Sequence, residues 1–196
     1  MNVVMLAKNR VNLTNQAVES LYLNTNWPVN FTLVDDGSVI PHHCTLWKGD
    51  NKAILRNQTS TGITAQVRNL GVYWSEAYFG RDKDGLLYLS DNDAYFTSGW
   101  ALKMVKAFEM AEKEGFALLG GQNHPYHQPI GESVGGQVKE YLALAGTSWL
   151  MRWDTWDKYG PLVLGAPGVC QSEDHLFCVK LREDGHKVGA IWPHVV

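Results

Sequence analysis

The residues best suited to chemistry are two aspartates at the end of an apolar run. Residues 86–89 are apolar and form a run short enough for a buried strand, and Asp91 and Asp93 follow with one residue between them. Because side chains alternate along an extended chain, both carboxylates can face one small volume. Adjacent carboxylates repel unless a cation lies between them. The spacing therefore indicates a site for a divalent cation that bridges to phosphate oxygens, with an ordinary polar strand exit as the alternative.

The elements that must position these carboxylates alternate between strand and helix. The hydrophobic pattern predicts strands at 3–6, 31–34, 53–55, 86–89 and 116–119. Helices are predicted after the first, third and fourth of these strands. Asn12 or Thr14 would cap the first helix, Thr61 or Thr64 would open the second, and Ser98 would cap the third, with Leu13 on the inward side of the first. This alternation is typical of a mostly parallel sheet with helices on both faces, where ligands bind at the carboxyl ends of the strands.

The pattern changes after residue 120, where glycines interrupt a loop-rich stretch. One long or two short strands are predicted over 138–151, a short helix over 154–160 and a final strand over 188–192. Ser172 is the predicted cap of a last helix over 174–183. Since no linker or repeat divides the chain, we expect one α/β domain over 1–196.

Composition excludes several classes of protein. The 196 residues carry 17 basic and 20 acidic side chains, which lacks the basic character of proteins that neutralise nucleic-acid phosphates. No apolar run reaches the roughly 20 residues that span a bilayer, and the N-terminus is typical of a strand rather than a signal peptide. Cys44, Cys170 and Cys178 lack metal-ligand spacing and an even count, so we expect a cytoplasmic protein.

Polar clusters follow the predicted strands in a defined order. They are Ala7-x-Asn9-Arg10, Val34-Asp35-Asp36-Gly37-Ser38, Val67-Arg68-Asn69-x-Gly71, Asp91-Asn92-Asp93 and Glu173-Asp174. Each motif alone is weak, but together they resemble the family-2 type of GT-A fold glycosyltransferases over nearly the whole chain. The resemblance implies a single Rossmann-like GT-A domain, with a donor half at 1–120 and an acceptor half at 121–196.

The resemblance also implies the reaction and the residues of the donor site. The activity would be metal-dependent transfer of a sugar from a nucleoside-diphosphate sugar, with UDP favoured, to an acceptor hydroxyl, with inversion by direct displacement. Asp35 or Asp36 would accept from the nucleobase, and Arg68 would hold the nucleotide. Further donor-binding residues would be Ala7, Asn9, Arg10, Asp91 and Asn92.

The resemblance further implies a bound Mn²⁺ or Mg²⁺. Asp93 would be its direct ligand, with Asp91 reaching the metal or the ribose. His194, just past the last predicted strand, would complete the metal site. A solvent-exposed histidine with no role is the alternative for His194.

On the acceptor side, Asp174 resembles the general base of an inverting transfer. Glu173 and Trp149 would lie near the acceptor, although a carboxylate pair can merely complement a helix dipole and tryptophans are more often core residues. The acceptor would be a small molecule, a glycan or, as a minority hypothesis, a modified DNA base. The resemblance also implies a bacterial or phage-encoded protein. The sequence leaves the oligomeric state open.

Three rival functions remain open at this point. A sugar-nucleotide nucleotidyltransferase shares the architecture but usually has a Gly-rich signature after the first strand, where this chain has Ala7-Lys8-Asn9-Arg10. A D-x-D phosphohydrolase would carry its acidic pair after the first strand rather than far downstream. A non-catalytic nucleotide- or sugar-binding module would not need a base at Asp174.

Overall fold

The computed structural model describes residues 1–43, 45, 47, 49–122, 127–131, 133–164 and 172–196. In this part of the chain, strands and helices alternate up to β5 as the hydrophobic pattern predicts, except that β2 is followed directly by β3. The elements are β1 (Asn2–Ala7), α1 (Val11–Asn24), β2 (Asn30–Asp35), β3 (Lys52–Arg56), α2 (Thr64–Phe79), β4 (Leu86–Asp91), α3 (Trp100–Glu112), β5 (Phe116–Gly120), β6 (Val138–Tyr141), β7 (Ser148–Arg152), α4 (Trp153–Tyr159), α5 (Glu173–Glu183) and β8 (Lys187–Ile191).

All the strands join in one sheet of order β3-β2-β1-β4-β7-β5-β8-β6. The first four are mutually parallel, and β5 is parallel to β8. Strand β7 is antiparallel to both β4 and β5, and β6 is antiparallel to β8. The predicted mostly parallel α/β sheet is confirmed. The carboxyl ends of β1, β2 and β4 lie side by side, which brings the first, second and fourth motifs together.

Helices cover both faces of the sheet and form two hydrophobic cores. One core packs α1 and α3 against one face, and the other packs α2, α4 and α5 against the opposite face. All six residues of β1 are buried, as expected for a central parallel strand covered on both sides. None of the helices in the described part of the chain combines the length and apolar character needed to cross a membrane.

Gly71 brings α2 unusually close to the sheet. A Cβ atom at this position would lie 2.6 Å from the Val4 side chain and 2.7 Å from that of Val34. Only a residue without a side chain fits there, because the interior is close-packed. This close approach carries Arg68, one turn earlier on α2, to the end of the neighbouring strand.

Two helix starts differ from the sequence prediction. Helix α3 does not use Ser98 as its cap, because it begins after a left-handed Gly99 with no side-chain cap. Helix α1 begins earlier than a cap at Asn12 or Thr14 would require, directly after a left-handed Arg10. Leu13, expected on the inward face, is consequently exposed.

Candidate active site

A cleft of about 400 Å³ opens at the carboxyl ends of β1, β2 and β4. We call it the donor cleft, after the role that the sequence resemblance implies for its residues. It is lined by residues of the three strand ends together with the start of α2. Six residues predicted from the sequence line it, namely Ala7, Arg10, Asp36, Asp91, Asn92 and Asp93. The fold therefore brings most of the expected donor site into one volume of the size of small-molecule pockets.

The turn after β1 has an uncommon backbone. Asn9 and Arg10 are consecutive left-handed residues, with φ of 54° and 51°. Residues other than glycine adopt this region rarely, and such strain clusters at functional sites. Two hydrogen bonds fix the turn: the Asn9 N–H donates to Ser38 Oγ at 2.7 Å, and the Val39 N–H donates to Asn9 Oδ1 at 3.1 Å. The turn is thereby locked to the loop after β2.

Asp93 is the accessible carboxylate of the donor cleft. Its side chain is 45% exposed and accepts a hydrogen bond from Arg10 Nη1 at 3.1 Å. The Arg10 side chain is 61% exposed. Exposed ion pairs contribute about 0–1 kcal/mol. A cation or a phosphate can therefore displace one partner of this pair at little cost.

Asp91, by contrast, is held by a buried arginine. The Arg68 side chain is only 3% exposed, and its Nη2 donates to Asp91 Oδ1 at 2.8 Å. Its Nη1 lies 3.5 Å from Glu173 Oε1. Arg68 Nε has no hydrogen-bond partner among the described residues. Arg68 was expected to hold the nucleotide, but it does not line the donor cleft. It links two carboxylates and orients Asp91.

Asp36 is the carboxylate after β2 that lines the donor cleft. Lys8 Nζ donates to Ser60 Oγ at 2.6 Å, and Ser60 Oγ donates to Asp36 Oδ2 at 2.7 Å. Burial alone would raise the pKa of Asp36, but hydrogen bonds from Ser60, Thr61 and Asn57 outweigh burial and lower it. Asp36 is therefore a fixed anion at the cleft wall.

Asp35 has a different task. Its side chain is fully buried, and its two oxygens accept from the backbone N–H groups of Ser38, at 2.9 Å, and His42, at 3.3 Å. These bonds shape the loop after β2 rather than the cleft surface. The sequence left Asp35 and Asp36 open as partners of the nucleobase, and the geometry favours Asp36.

Asp174 lies in the first turn of α5 and faces a second cavity. Its Oδ2 accepts from the Gly146 N–H at 3.0 Å, and its Oδ1 accepts from Ser172 Oγ and from the His175 N–H. The cavity, of about 280 Å³, is also lined by His127 and His175. Asp174 and Asp91 thus open into different cavities in the part of the chain that the structure describes.

Gly146 lies between Asp174 and Arg68. Its N–H binds Asp174, and a Cβ atom at this position would lie 2.3 Å from Arg68 Nη1. Only glycine lets the arginine pass so close to this backbone. Glu173, expected near the acceptor, contacts Arg68 instead and so belongs to the same connection.

The prediction that Trp149 contacts the acceptor is wrong. Its side chain is fully buried, stacks on Phe177 with ring centroids 5.4 Å apart, and donates from Nε1 to the Ala145 carbonyl oxygen at 2.9 Å. Trp149 lies on β7 in the centre of the sheet, so no face of its ring is available to a sugar. It is a core residue.

His194 lies away from the donor cleft. It lines a third cavity, the C-terminal cavity, together with Thr97, Lys103, Lys106 and Trp192. Burial lowers the pKa of His194, and the nearby Lys139 lowers it further. A metal ion there would be repelled by the lysines. Among the described residues, no group of three or more His, Cys, Asp or Glu side chains is arranged to hold a metal.

Three contributors to this region were missed in the sequence. Lys8 lies inside the first motif, and its position between Ala7 and Asn9 could have identified it as a residue of the cleft. Ser60 and Gly146 lie outside every motif. Their contacts join residues that are far apart in the chain, and neither residue type nor sequence spacing predicts such contacts.

No family model and no curated protein matches this chain. Solved structures do match. Staphylococcus aureus TarS 1-349 has a TM-score of 0.63 and 16% identity, covering 96% of this chain and 57% of that one. The same TarS fragment in complex with UDP-GlcNAc has a TM-score of 0.64 and 16% identity. That alignment covers 96% of this chain and 55% of the TarS fragment.

Mannosyltransferase PcManGT from Pyrobaculum calidifontis, in complex with GDP-Man and Mn²⁺, gives a TM-score of 0.61 and 12% identity. The alignment covers 96% of this chain and 55% of PcManGT. The chain therefore spans little more than half the length of these three structures. At such identities the shared property is the fold, and the protein has the GT-A glycosyltransferase fold that its motifs predicted.

Proposed function

We propose that the protein is a metal-dependent glycosyltransferase that transfers a sugar from a nucleoside-diphosphate sugar, with UDP favoured, to an acceptor hydroxyl. The observation that carries the proposal is the donor cleft. In it, accessible Asp93 and arginine-held Asp91 share one volume with Asp36 and Arg10. The structures of similar fold bind UDP-GlcNAc in one case and GDP-Man with Mn²⁺ in another, which supports this choice of ligand.

Each residue of the cleft binds a different part of the nucleotide-sugar donor in this proposal. Asp36, a fixed anion on the cleft wall, accepts from an N–H edge of the nucleobase. A buried acceptor that must meet a ring N–H discriminates against bases lacking it. The Arg10 guanidinium, mobile once it leaves Asp93, pairs with the diphosphate. Arg68 acts through Asp91, which it holds toward the ribose or the metal.

The carboxylates also fit a divalent cation. Mg²⁺ and similar ions are usually held by one or two carboxylates together with substrate phosphates, without a complete protein cage. Asp93 would hold the ion directly and Asp91 would assist, so the lack of a three-residue cluster in the described part of the chain is compatible with binding. A bound ion supplies neutralisation of the charge on the departing nucleoside diphosphate.

Asp174 is the general base in this proposal. The Gly146 N–H and the His175 N–H donate to its two oxygens and fix its orientation. Its carboxylate takes the proton of the acceptor hydroxyl while that oxygen bonds to the anomeric carbon. The bond from the anomeric carbon to the diphosphate oxygen breaks on the opposite face. The configuration at the anomeric carbon therefore inverts.

A thermal-shift panel of UDP and GDP, with and without Mn²⁺, tests donor binding. At a hundredfold excess over Kd, UDP with Mn²⁺ should add about 2.7 kcal/mol to the free energy of unfolding. Asp93→Asn should lose the Mn²⁺-dependent part of this response. Asp154→Asn, at an exposed aspartate of α4, is the matched control and should respond as the parent does. Absence of any nucleotide response, with metal present, would contradict the proposed function.

The base is tested separately from the donor cleft. Release of UDP from UDP-glucose and UDP-GlcNAc, with water as acceptor, can be followed without knowing the natural acceptor. Asp174→Asn should lower this rate by about 10²–10⁴-fold while leaving the nucleotide thermal shift intact. Unchanged turnover in this variant would show that Asp174 is not the general base, but it would not contradict nucleotide binding in the donor cleft.

A further inference from the structure

The C-terminal cavity is separate from the donor cleft and has the opposite charge. Its volume is about 390 Å³, within the range of small-molecule pockets. It lies between α3 and the segment that follows β8. Its lining includes Lys103, Lys106, Trp192 and His194 and contains no aspartate or glutamate. Neither the donor nor the base of the proposed reaction uses it.

Three lysines concentrate positive charge at this cavity. Lys103 and Lys106 are three residues apart on α3, which places them on the same side of the helix. Lys139 approaches from β6, with its Nζ 4.3 Å from the centroid of the Trp192 ring. Within the described residues, the ion pairs of the protein include none of these three lysines. Lys103 Nζ donates to the Ser98 carbonyl oxygen at 2.8 Å, which leaves its charge uncompensated. In a chain of net charge −3, this is a local excess of cations without a carboxylate partner among the described residues.

The walls of the cavity are fixed by backbone hydrogen bonds. The Val195 carbonyl oxygen accepts from Thr97, from its N–H at 3.1 Å and from its Oγ1 at 2.9 Å. The Val195 N–H donates to Gly121, and the Trp192 N–H donates to Gln137. The C-terminal segment is thus tied to three different parts of the chain, so the cavity is built before any ligand arrives.

We propose that the C-terminal cavity binds the phosphate group of a phosphorylated carbohydrate. A phosphomonoester carries a charge of about −1.5 to −2 at neutral pH, which suits several lysines better than a single carboxylate would. The volume exceeds what phosphate alone needs, and the Trp192 side chain is 47% exposed and offers an aromatic surface to a sugar ring. The absence of basic character elsewhere disfavours nucleic acid.

The ligand would be the acceptor, or the part of the acceptor that anchors it. Thr97 lines the cavity and lies four residues after Asp93, so the cavity adjoins the segment that leaves the donor cleft. This assignment as acceptor rests on the proposed function, whereas binding of the phosphate at the lysines does not.

Binding can be measured by ¹⁵N NMR on the Trp192 indole N–H, assigned with Trp192→Phe. Glucose 6-phosphate should shift this signal saturably, glucose should not, and inorganic phosphate should bind more weakly than the sugar phosphate. Lys106→Glu should weaken glucose 6-phosphate binding by about tenfold or more, since a charge-assisted contact is replaced by repulsion. Lys113→Glu, at an exposed lysine beyond the end of α3, should leave the Kd within about twofold.

Each contrary result has a defined meaning. No saturable shift with glucose 6-phosphate would overturn the proposal. Equal binding of inorganic phosphate and glucose 6-phosphate would overturn its carbohydrate part. Tighter binding of a short single-stranded DNA through the same lysines would overturn it in favour of nucleic acid.

The thermal shift with UDP and Mn²⁺, run on the same variants, separates this inference from the proposed function. Lys106→Glu should retain that shift. A parent protein that responds to UDP but binds no glucose 6-phosphate would contradict the C-terminal cavity alone. Sugar-phosphate binding without any nucleotide response would support the cavity and contradict the donor cleft.

Discussion

The donor cleft and the C-terminal cavity handle charge in opposite ways. In the donor cleft, Asp91 and Asp93 each have an arginine partner, and Asp36 is held by a chain of hydrogen bonds that begins at Lys8. In the C-terminal cavity, the lysines have no ion-pair partner within the described residues. The protein itself therefore neutralises the carboxylate charges of the donor cleft, whereas the lysine charges of the C-terminal cavity can be neutralised only by an anion from solution.

This difference has a consequence for binding. Compensated carboxylates keep their geometry when no ligand is bound, but a ligand must compete with Arg10 for its place. Uncompensated lysines repel one another and gain directly from a bound anion. We therefore expect loss of Arg68, the buried partner of Asp91, to be costly for folding, whereas loss of a lysine of the C-terminal cavity should be nearly free.

The largest expected effect is that of Arg68→Met. It leaves Asp91 and Glu173 without their shared, nearly buried partner, and loss of one member of a buried ion pair typically costs about 3–5 kcal/mol. Urea unfolding measures this loss. The matched control is Arg81→Met, because Arg81 also binds two carboxylates but is 37% exposed, so we expect only about 1–2 kcal/mol. Equal losses in the two variants would break the comparison, since burial would then not matter.

Gly146→Ala should have an intermediate effect. The added methyl group would lie 2.3 Å from Arg68 Nη1, so the guanidinium must move away from Asp91 or Glu173. Overpacking of this kind costs about 1–3 kcal/mol. The UDP thermal shift should decrease at the same time, because Asp91 loses its orientation. A variant with parental stability and parental nucleotide response would show that Arg68 does not need this close approach.

Asp36 gives a smaller effect that depends on pH. Its pKa in the folded protein is below the ordinary value of 3.8. The corresponding stability is therefore present above that value and is lost as the pH falls below it toward the folded pKa. Asp36→Asn should flatten the acid limb of a curve of unfolding free energy against pH. An unchanged acid limb would mean that the hydrogen bonds from Ser60 and Thr61 do not favour the ionised form.

The smallest effect is expected for Lys106→Gln, in the C-terminal cavity. Because no opposite charge is lost, the free energy of unfolding in buffer without phosphate should change by less than about 0.5 kcal/mol. Addition of glucose 6-phosphate should then stabilise the parent more than the variant. A loss comparable to that of Arg68→Met would show that Lys106 has a structural partner, contrary to the contrast between the two sites.

The sequence predicts the fold and the cleft for a definite physical reason. Apolar runs identify strands, polar residues at their ends identify the ligand edge, and parallel order brings those ends together. That logic placed Asp36, Asp91 and Asp93 in one volume. It needs only local patterns and the rules of sheet topology.

The remaining features depend on contacts that local patterns do not encode. Arg68 is a plausible phosphate ligand by residue type, but its burial between Asp91 and Glu173 follows from the close approach of α2 and of Gly146. Trp149 was placed near the acceptor because tryptophans stack on sugars, yet β7 inserts into the middle of the sheet and buries it. His194 has a metal-binding side chain, but it shares its cavity with two lysines of α3, and Lys139 of β6 lies near it.

The insertion of β7 between β4 and β5 also affects how the chain folds and where it can be truncated. Strands β1 to β4 come from one continuous stretch of sequence, so they can pair before the rest of the chain is made. Until β7 arrives, β4 is an open edge made of buried, apolar residues. Such an edge is prone to pair with other chains. We therefore expect a fragment that ends at residue 120 to aggregate rather than fold alone, although it carries most of the donor cleft.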